Sequence, residues 1–287
     1  MASVIIAAHD EEAVIGACLA ALGEQTGLTE LLEIVVSANA CTDATAEIAR
    51  ATGALVVDRP EPGKAAALNA GEALVVAFPR IYLDADILVP AHAIALLSAA
   101  LDERQGVLAA VPRRVLSTAG RPWSVRAYFA INQRLPAFAD GLFGRGMIAL
   151  SPAGRARFEQ FPEMVADDLF LDSLFSAEEK ISVVEVEVVV QAPFTSRELL
   201  RRLVRVRRGN RQMRQAAEAG QVELTVRASD RRAWLRVVAR DPRLVPAAVP
   251  YALLTLLAAR RARRDDSDWG RDESSRTRRP ERSEDRA

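Results

Sequence analysis

Two aspartates one residue apart, Asp84 and Asp86, follow directly on the apolar run Ile81-Tyr82-Leu83. A short buried strand suits that run. In an extended chain residues i and i+2 project to one side, so both carboxylates can enter one cleft. Two hard oxygens at a strand's C-terminal end suit Mg²⁺ or Mn²⁺, particularly an ion shared with substrate phosphates. The same pair also reads as a solvated turn. A second acidic pair, Asp167-Asp168, opens the apolar run Leu169-Phe170-Leu171, where it could be no more than favourable charge in a helix's first turn. The basic residues are almost all Arg, Lys64 and Lys180 being the two lysines.

The elements that must hold these residues follow from periodicity. Strands are expected at 3–8, 33–37, 54–57, around Ile81 and at 107–111, alternating with helices to about 22, to about 52, at 64–76 and at 91–104. Thr42 or Asp43 can cap the second helix. Strands alternating with helices of ten or more residues imply an α/β fold with a largely parallel sheet covered on its faces. Ligands in such sheets sit beyond the strands' carboxyl ends, where His9, Asn39 and Asp84 all fall. Further on, a helix from Pro122 to about Leu135 is expected, then a glycine-punctuated loop from Asp140 through Gly141, Gly144 and Gly146 into a strand. Small residues there let backbone approach a ligand closely, though a plain hairpin or bulge fits equally. A strand at 182–190 carries Glu185 and Glu187 on one face. Thr195 or Ser196 starts a long helix with eight arginines between Arg197 and Arg214.

Taken together, these motifs resemble those of the nucleotide-sugar-dependent glycosyltransferases of family 2, which have the GT-A fold. Val4-Ile5-Ile6-Ala7-Ala8-His9-Asp10-Glu11-Glu12 looks like their opening strand and Asn-Glu turn, with His9 where an aromatic is usual. Ser37-Ala38-Asn39-Ala40-Cys41-Thr42-Asp43 stands where they carry Asp-Asp-Gly-Ser-Thr-Asp, with Ala38 and Asn39 replacing acids. An Asn amide both donates and accepts, so nucleotide contact survives while the base stays open. Gly63-Lys64-Ala65-Ala66-Ala67-Leu68-Asn69-Ala70-Gly71 is similar to the family's Gly-Lys-x-x-Ala-Leu-Asn-x-Gly. Leu83-Asp84-Ala85-Asp86 is similar to its Asp-x-Asp metal motif. The resemblance implies a donor site at Ala8, His9, Glu11, Asn39, Lys64, Asp84, Ala85, Asp86 and Gly146, with the metal on Asp84 and Asp86. It implies a catalytic base at Asp168 with Asp167 as its acidic neighbour. Arg202-Leu203-Val204-Arg205-Val206 resembles the Gln/Arg-x-x-Arg-Trp motif of processive members, with Val206 in place of Trp. Arg202 or Arg205 would then help to hold the diphosphate or the acceptor, and the bland alternative is a solvated basic face. The implied reaction is transfer of a sugar from a nucleotide diphosphate sugar to a hydroxyl acceptor, with inversion. The acceptor could be a lipid carrier, a metabolite or a glycan.

Composition bounds the alternatives. A net charge of zero implies no global attraction to nucleic acid, and the arginine run lacks the interleaved aromatics of a binding module. Cys18 and Cys41 form no metal spacing, which favours a reducing, cytoplasmic setting. Residues 244–259 carry no charge between arginine clusters. As a helix they would span roughly 24 Å, short of a bilayer core, and Pro246 and Pro250 would bend it. The segment either packs on the domain or seats beside anionic lipids. The expected organisation is a GT-A-like domain over 1–220, a helical extension over 221–264 and a charged disordered tail over 265–287. Two rival functions remain at this point. One is a non-catalytic binding module with a degenerate site. The other is a phosphotransferase of the haloacid-dehalogenase type, which also places Asp-x-Asp after a strand.

Overall fold

The computed structural model describes residues 1–136, 138, 141–163, 167–220, 230 and 232–264, so the expected tail over 265–287 and Asp140 lie outside the described residues. The chain opens with β1 (Ser3–Ala8), α1 (Ile15–Gly23), β2 (Glu33–Asn39), α2 (Thr45–Ala51), β3 (Leu55–Arg59) and α3 (Lys64–Glu72). It continues with β4 (Arg80–Leu83), α4 (Ala93–Glu103), β5 (Ala109–Ser117), α5 (Trp123–Asn132) and β6 (Met147–Leu150). Then come the short α6 (Pro152–Arg155), α7 (Asp167–Ser173) and the long β7 (Lys180–Gln191). Three helices follow: α8 (Ser196–Glu218), α9 (Ala233–Arg240) and, after a 3₁₀ turn at Pro242–Leu244, α10 (Val245–Arg264).

The seven strands form one sheet in the order β3-β2-β1-β4-β6-β5-β7. β6 pairs antiparallel with both β4 and β5, while the other pairings are parallel. The expected largely parallel sheet is therefore present, with one reversed strand inserted beside β4. That insertion places Met147 opposite Leu83, and the peptide of Gly146 against the start of the Asp84 turn.

Side chains alternate across the sheet, and both faces are covered. Val4, Ile6, Ile81 and Leu83 pack with Ile94 and Leu97 of α4 on one face. Ile5, Val35 and Tyr82 pack with Leu68 of α3 and with Phe161 and Phe170 on the other. Burial on both faces is why these strands read as unbroken apolar runs. Gly71 lets α3 lie close to the sheet: a Cβ there would stand 2.6 Å from Ile5 Cγ2. This gives the last glycine of the Gly-Lys-x-x-Ala-Leu-Asn-x-Gly segment a packing reason.

A third core joins α5, α8, α9 and α10, with Tyr128 and Tyr251 stacked at 5.0 Å. It draws on residues either side of position 220, so the C-terminal helices rest on α5 and α8. Thr195 caps α8 through a reciprocal capping box with Glu198, as the expected helix start requires. The N-cap of α2 is Ala44 rather than Thr42 or Asp43, although the Asp43 carboxylate accepts the Thr45 N–H at 3.0 Å. α10 runs as one helix through Pro250.

Candidate active site

Three chain segments bring their first or last residues to one point. β4 ends at Leu83, and Asp84 begins a turn closed by the Ile87 N–H donating to the Asp84 carbonyl at 3.2 Å. Asp84 and Asp86 thus sit in a turn rather than in extended chain, so their relative aim is set by the turn and not by strand alternation. Ala85 between them is buried, Asp84 is half-buried and Asp86 is exposed. Lys64, at the first position of α3, reaches over with its Nζ 2.8 Å from Asp84 Oδ1 and 3.0 Å from Asp167 Oδ2. Burial alone would lower the lysine's pKa, but Asp167 and Asp84 hold it above the usual range. Asp167 and Asp168 open α7, as the sequence suggests.

Asp168 differs from its neighbour. Its Oδ2 accepts the Gly144 N–H at 3.0 Å and its Oδ1 the Leu169 N–H at 2.8 Å. Burial, then the like charge of Asp167, pushes its pKa up to about 6, against the pull of Lys64 and of the Gly144 N–H. A carboxylate in that range is able to take a proton near neutral pH.

The loop before β6 is fixed to α7 at two points one helical turn apart. Besides the Asp168–Gly144 bond, buried Asp172 accepts the Leu142 N–H at 2.8 Å and pairs with Lys180 Nζ at 2.9 Å. At the loop's end Gly146 has φ +71°, and a Cβ there would stand 2.5 Å from Ile87 Cγ1. Both facts demand glycine. Its carbonyl accepts the Asp84 N–H at 2.8 Å, so this loop also sets the acidic turn.

The other end of the site lies beyond β1 and β2. Asn39 is buried, its Nδ2 donating to the Ala8 carbonyl at 2.7 Å and its Oδ1 accepting the Gly63 N–H at 3.1 Å. Its amide is engaged in joining β1, β2 and the start of α3. His9 Nδ1 donates to the Asn39 carbonyl at 2.7 Å. The Glu11 N–H donates to Thr45 Oγ1 at 2.7 Å, tying the turn after β1 to α2. His9, Asp10 and Cys41 hold ligand atoms within 4.8 Å of one another. Among the described residues they are the group of three or more such side chains that could hold an ion. The Asp84 turn is not part of such a group among the described residues.

The structure thus brings Lys64, Asp84 and Asp167 into direct contact, with Asp168 and Gly146 beside them, and links them to Ala8, His9 and Asn39 through Gly63. Arg202, on α8, acts by its charge on Arg114 of β5 and on Tyr128 of the helical layer. Arg205 is half-buried on the same helix. Two residues that lie within sequence motifs take positioning roles that the motifs do not state. Asn69 holds the Phe161 backbone at both ends, donating to its carbonyl at 2.9 Å and accepting its N–H at 2.8 Å. Gly144 holds Asp168. Asn69, half-buried on α3, shows this role only through its two bonds to Phe161.

Comparisons with known proteins give the family and the fold. A family model described as Glycosyl transferase family 2 matches residues 3–150. A search of curated proteins finds no match to this sequence. Among solved structures, the chain is similar to the mannosyltransferase PcManGT from Pyrobaculum calidifontis, solved in complex with GDP-Man and Mn²⁺. The identity is 21% and the TM-score 0.57, over 93% of this chain and 76% of that one. It is also similar to S. aureus TarS, with 16% identity and a TM-score of 0.51, over 92% of this chain and 53% of that one. These likenesses establish a GT-A-like fold and leave the haloacid-dehalogenase alternative without support. The family match spans β1 to β6 and carries the Gly-Lys and Asp-x-Asp segments, and the chain belongs to glycosyl transferase family 2 and is a glycosyltransferase.

Proposed function

We propose that the protein transfers a sugar from a nucleotide diphosphate sugar to a hydroxyl acceptor with inversion, using Asp168 as general base and a divalent ion at Asp84 and Asp86. The observation that carries this reading is the convergence of Lys64, Asp84 and Asp167, with Asp168 alongside and raised toward neutrality. The GDP-Man and Mn²⁺ held by the P. calidifontis mannosyltransferase support the donor class and the ion class.

The Asp84 turn fits such an ion. Mg²⁺ and Mn²⁺ sites of this type take one or two carboxylates and complete their shell with water and substrate phosphates. Asp86 is exposed, and Asp84 keeps 46% of its side chain accessible even beside Lys64. Bound there, a divalent ion supplies charge compensation for the diphosphate leaving group. Lys64 shifts from Asp84 toward the diphosphate when donor enters, because its compact ammonium then has a stronger anion to serve. Asp168 takes the proton of the incoming hydroxyl. The hydroxyl oxygen forms its bond to the anomeric carbon on the face opposite the departing diphosphate, and the old carbon–oxygen bond breaks. Asp167 holds Lys64 in place and keeps the Asp168 proton affinity high through like charge.

Calorimetric titration with UDP and GDP in Mn²⁺ tests the donor half. Wild type should bind at least one of them in a metal-dependent way, and Asp84→Ala and Asp86→Ala should lose that binding while keeping their melting temperature. Undiminished binding by both variants refutes the metal assignment.

A cytoplasmic protein seated at a membrane surface fits the C-terminal helix. Among the described residues, Pro242–Arg263 is long and apolar enough to cross a bilayer, with mean hydropathy 1.4 and 33% of its most apolar stretch buried. The sixteen uncharged residues alone fall short of a span. The helix reaches that length by continuing into its flanking arginines. One face, with Ala247, Tyr251, Leu254 and Ala258, is buried against α5 and α8. The other exposes Val245, Val249, Leu253 and Leu256. Crossing would uncover the first face, whereas lying in the interface uses both.

A further inference from the structure

On the far side of Gly144 from Asp168 lies a cavity of about 450 Å³, lined among others by Arg113, Arg114, Arg134, Arg145, Phe138 and Ser182. Its size is that of a small-ligand pocket. None of the described residues lining it is acidic. Arg113 pairs with Glu187 at the exposed edge of β5 and β7. Arg145 is buried and braces the wall, donating to the Gly141 and Pro112 carbonyls at 2.9 Å and to Ser182 Oγ at 3.2 Å. Arg114 is the group positioned to receive a ligand. Its guanidinium lies 4.7 Å from the Phe138 ring centroid, and its Nη1 is 3.5 Å from the Gly144 carbonyl. Burial, and then Arg145 and Arg202, draws the Arg114 pKa down to about 10, so the charges acting on it are of its own sign. A partly buried cation among cations is stabilised by an anion between them, and the forked donors of Arg suit oxyanions.

The Gly144 peptide connects this cavity to the proposed base. Its N–H serves Asp168 and its carbonyl faces Arg114, so the two side chains lie within roughly 10 Å of each other across one residue. We propose that the cavity binds the anionic end, a phosphate or carboxylate, of the hydroxyl acceptor, which places its hydroxyl at Asp168. The inference rests on the transferase reading above and narrows it, because neutral glycans lack the group that this cavity would hold. A soluble metabolite and a lipid headgroup share the chemistry.

The test titrates wild type and the variants Arg114→Gln, Arg114→Lys and Arg134→Gln with inorganic phosphate. Saturating nucleoside diphosphate and Mg²⁺ are present, so that the Lys64 end is already filled. Wild type should bind phosphate, and Arg114→Gln should bind it roughly tenfold or more weakly, the usual scale for a charged hydrogen bond. Arg114→Lys should recover part of the loss, and no variant should melt lower than Arg134→Gln. Phosphate binding that is absent in wild type, or equal in wild type and Arg114→Gln, overturns the proposal. Transfer assays then use glycerol 3-phosphate, lysophosphatidic acid in phosphatidylcholine vesicles, and glycerol. Product from the first identifies a soluble acceptor and product from the second a lipid one, each in support. Transfer to glycerol as fast as to either phosphate ester, unaffected by Arg114→Gln, counts against it. Failure of nucleoside diphosphate to bind strikes the donor reading instead, and is seen separately in its own titration.

Discussion

The two sides of Gly144 hold opposite charge in different ways. On the β4 side, Lys64 is shared between Asp84 and Asp167, so one cation answers several carboxylates packed at the ends of β4, α3 and α7. On the β5 side the described lining is basic, and its arginines are braced by backbone carbonyls, an aromatic ring and a rim carboxylate. The first side is rich in negative charge and suits a metal ion and its diphosphate. The second is rich in positive charge and suits an anion that arrives without a metal. A reaction joining a metal-bound donor to an anionic acceptor needs both, kept apart so that they do not neutralise each other. The loop over 141–146 is the partition, and α7 holds it through Asp168 and Asp172.

The strongest test of that division removes the proposed proton acceptor alone. Asp168→Asn keeps one side-chain oxygen, enough for one of the two backbone N–H groups (Gly144 and Leu169) that Asp168 accepts, and cannot take a proton. Turnover should fall by roughly 10² to 10⁴, with nucleotide affinity nearly unchanged. Steady-state rates beside donor titrations read the two separately, and wild-type turnover in the variant would move the base elsewhere. The raised pKa of Asp168 adds a stability check. A carboxyl whose folded pKa lies above its unfolded value costs stability once ionised, and the cost appears as pH rises from the ordinary carboxylate range through about 6. Asp168→Asn removes that cost together with one of the two backbone N–H bonds, so melting curves at pH 5 and pH 7 beside the rates separate lost chemistry from lost fold: the variant should lack the wild-type fall in stability between them.

Breaking the partition is the second test. Asp172 and Lys180 are 5% and 7% exposed, and removing one charge leaves the other buried and unpaired. Asp172→Asn should destabilise the fold by about 3–5 kcal/mol, measured by urea denaturation. A loss under about 1 kcal/mol would mean that water reaches the pair, on the scale of exposed salt bridges.

The pH profile gives a smaller effect. With Asp168 required as carboxylate, kcat/KM should drop as pH falls through about 6, by about tenfold per unit below it. Asp168→Asn should lack this limb. A limb that persists in the variant belongs to another group.

The smallest effect concerns the exposed face of α10. Stopping the chain before Leu244 would uncover α5 and α8, so point changes are the cleaner probe. Val249→Glu with Leu253→Glu should reduce sedimentation with anionic vesicles at low salt severalfold without changing the melting temperature. Equal sedimentation of the two proteins would leave α10 as a packing helix alone.

Much of the fold was legible because buried strands of a covered sheet must be apolar on both faces. The runs at Val4-Ile5-Ile6 and Ile81-Tyr82-Leu83 therefore showed themselves, and the glycine and lysine opening α3 marked its start. The capping box at Thr195 was equally local. By itself the sequence determined these elements, the order of the acidic pairs and, through the Gly-Lys and Asp-x-Asp segments, the family. It could not show that β6 runs backwards beside β4, because strand direction depends on pairings between residues tens of positions apart. Position alone does not separate Asp167 from Asp168, both first-turn acids that only the family resemblance told apart; the fold gives one a lysine and the other a glycine amide. The arginines at 113, 114, 134 and 145 belong to no motif in one dimension. Only the tertiary structure, by laying β5, β7 and the loop over 141–146 side by side, made them the walls of one cavity.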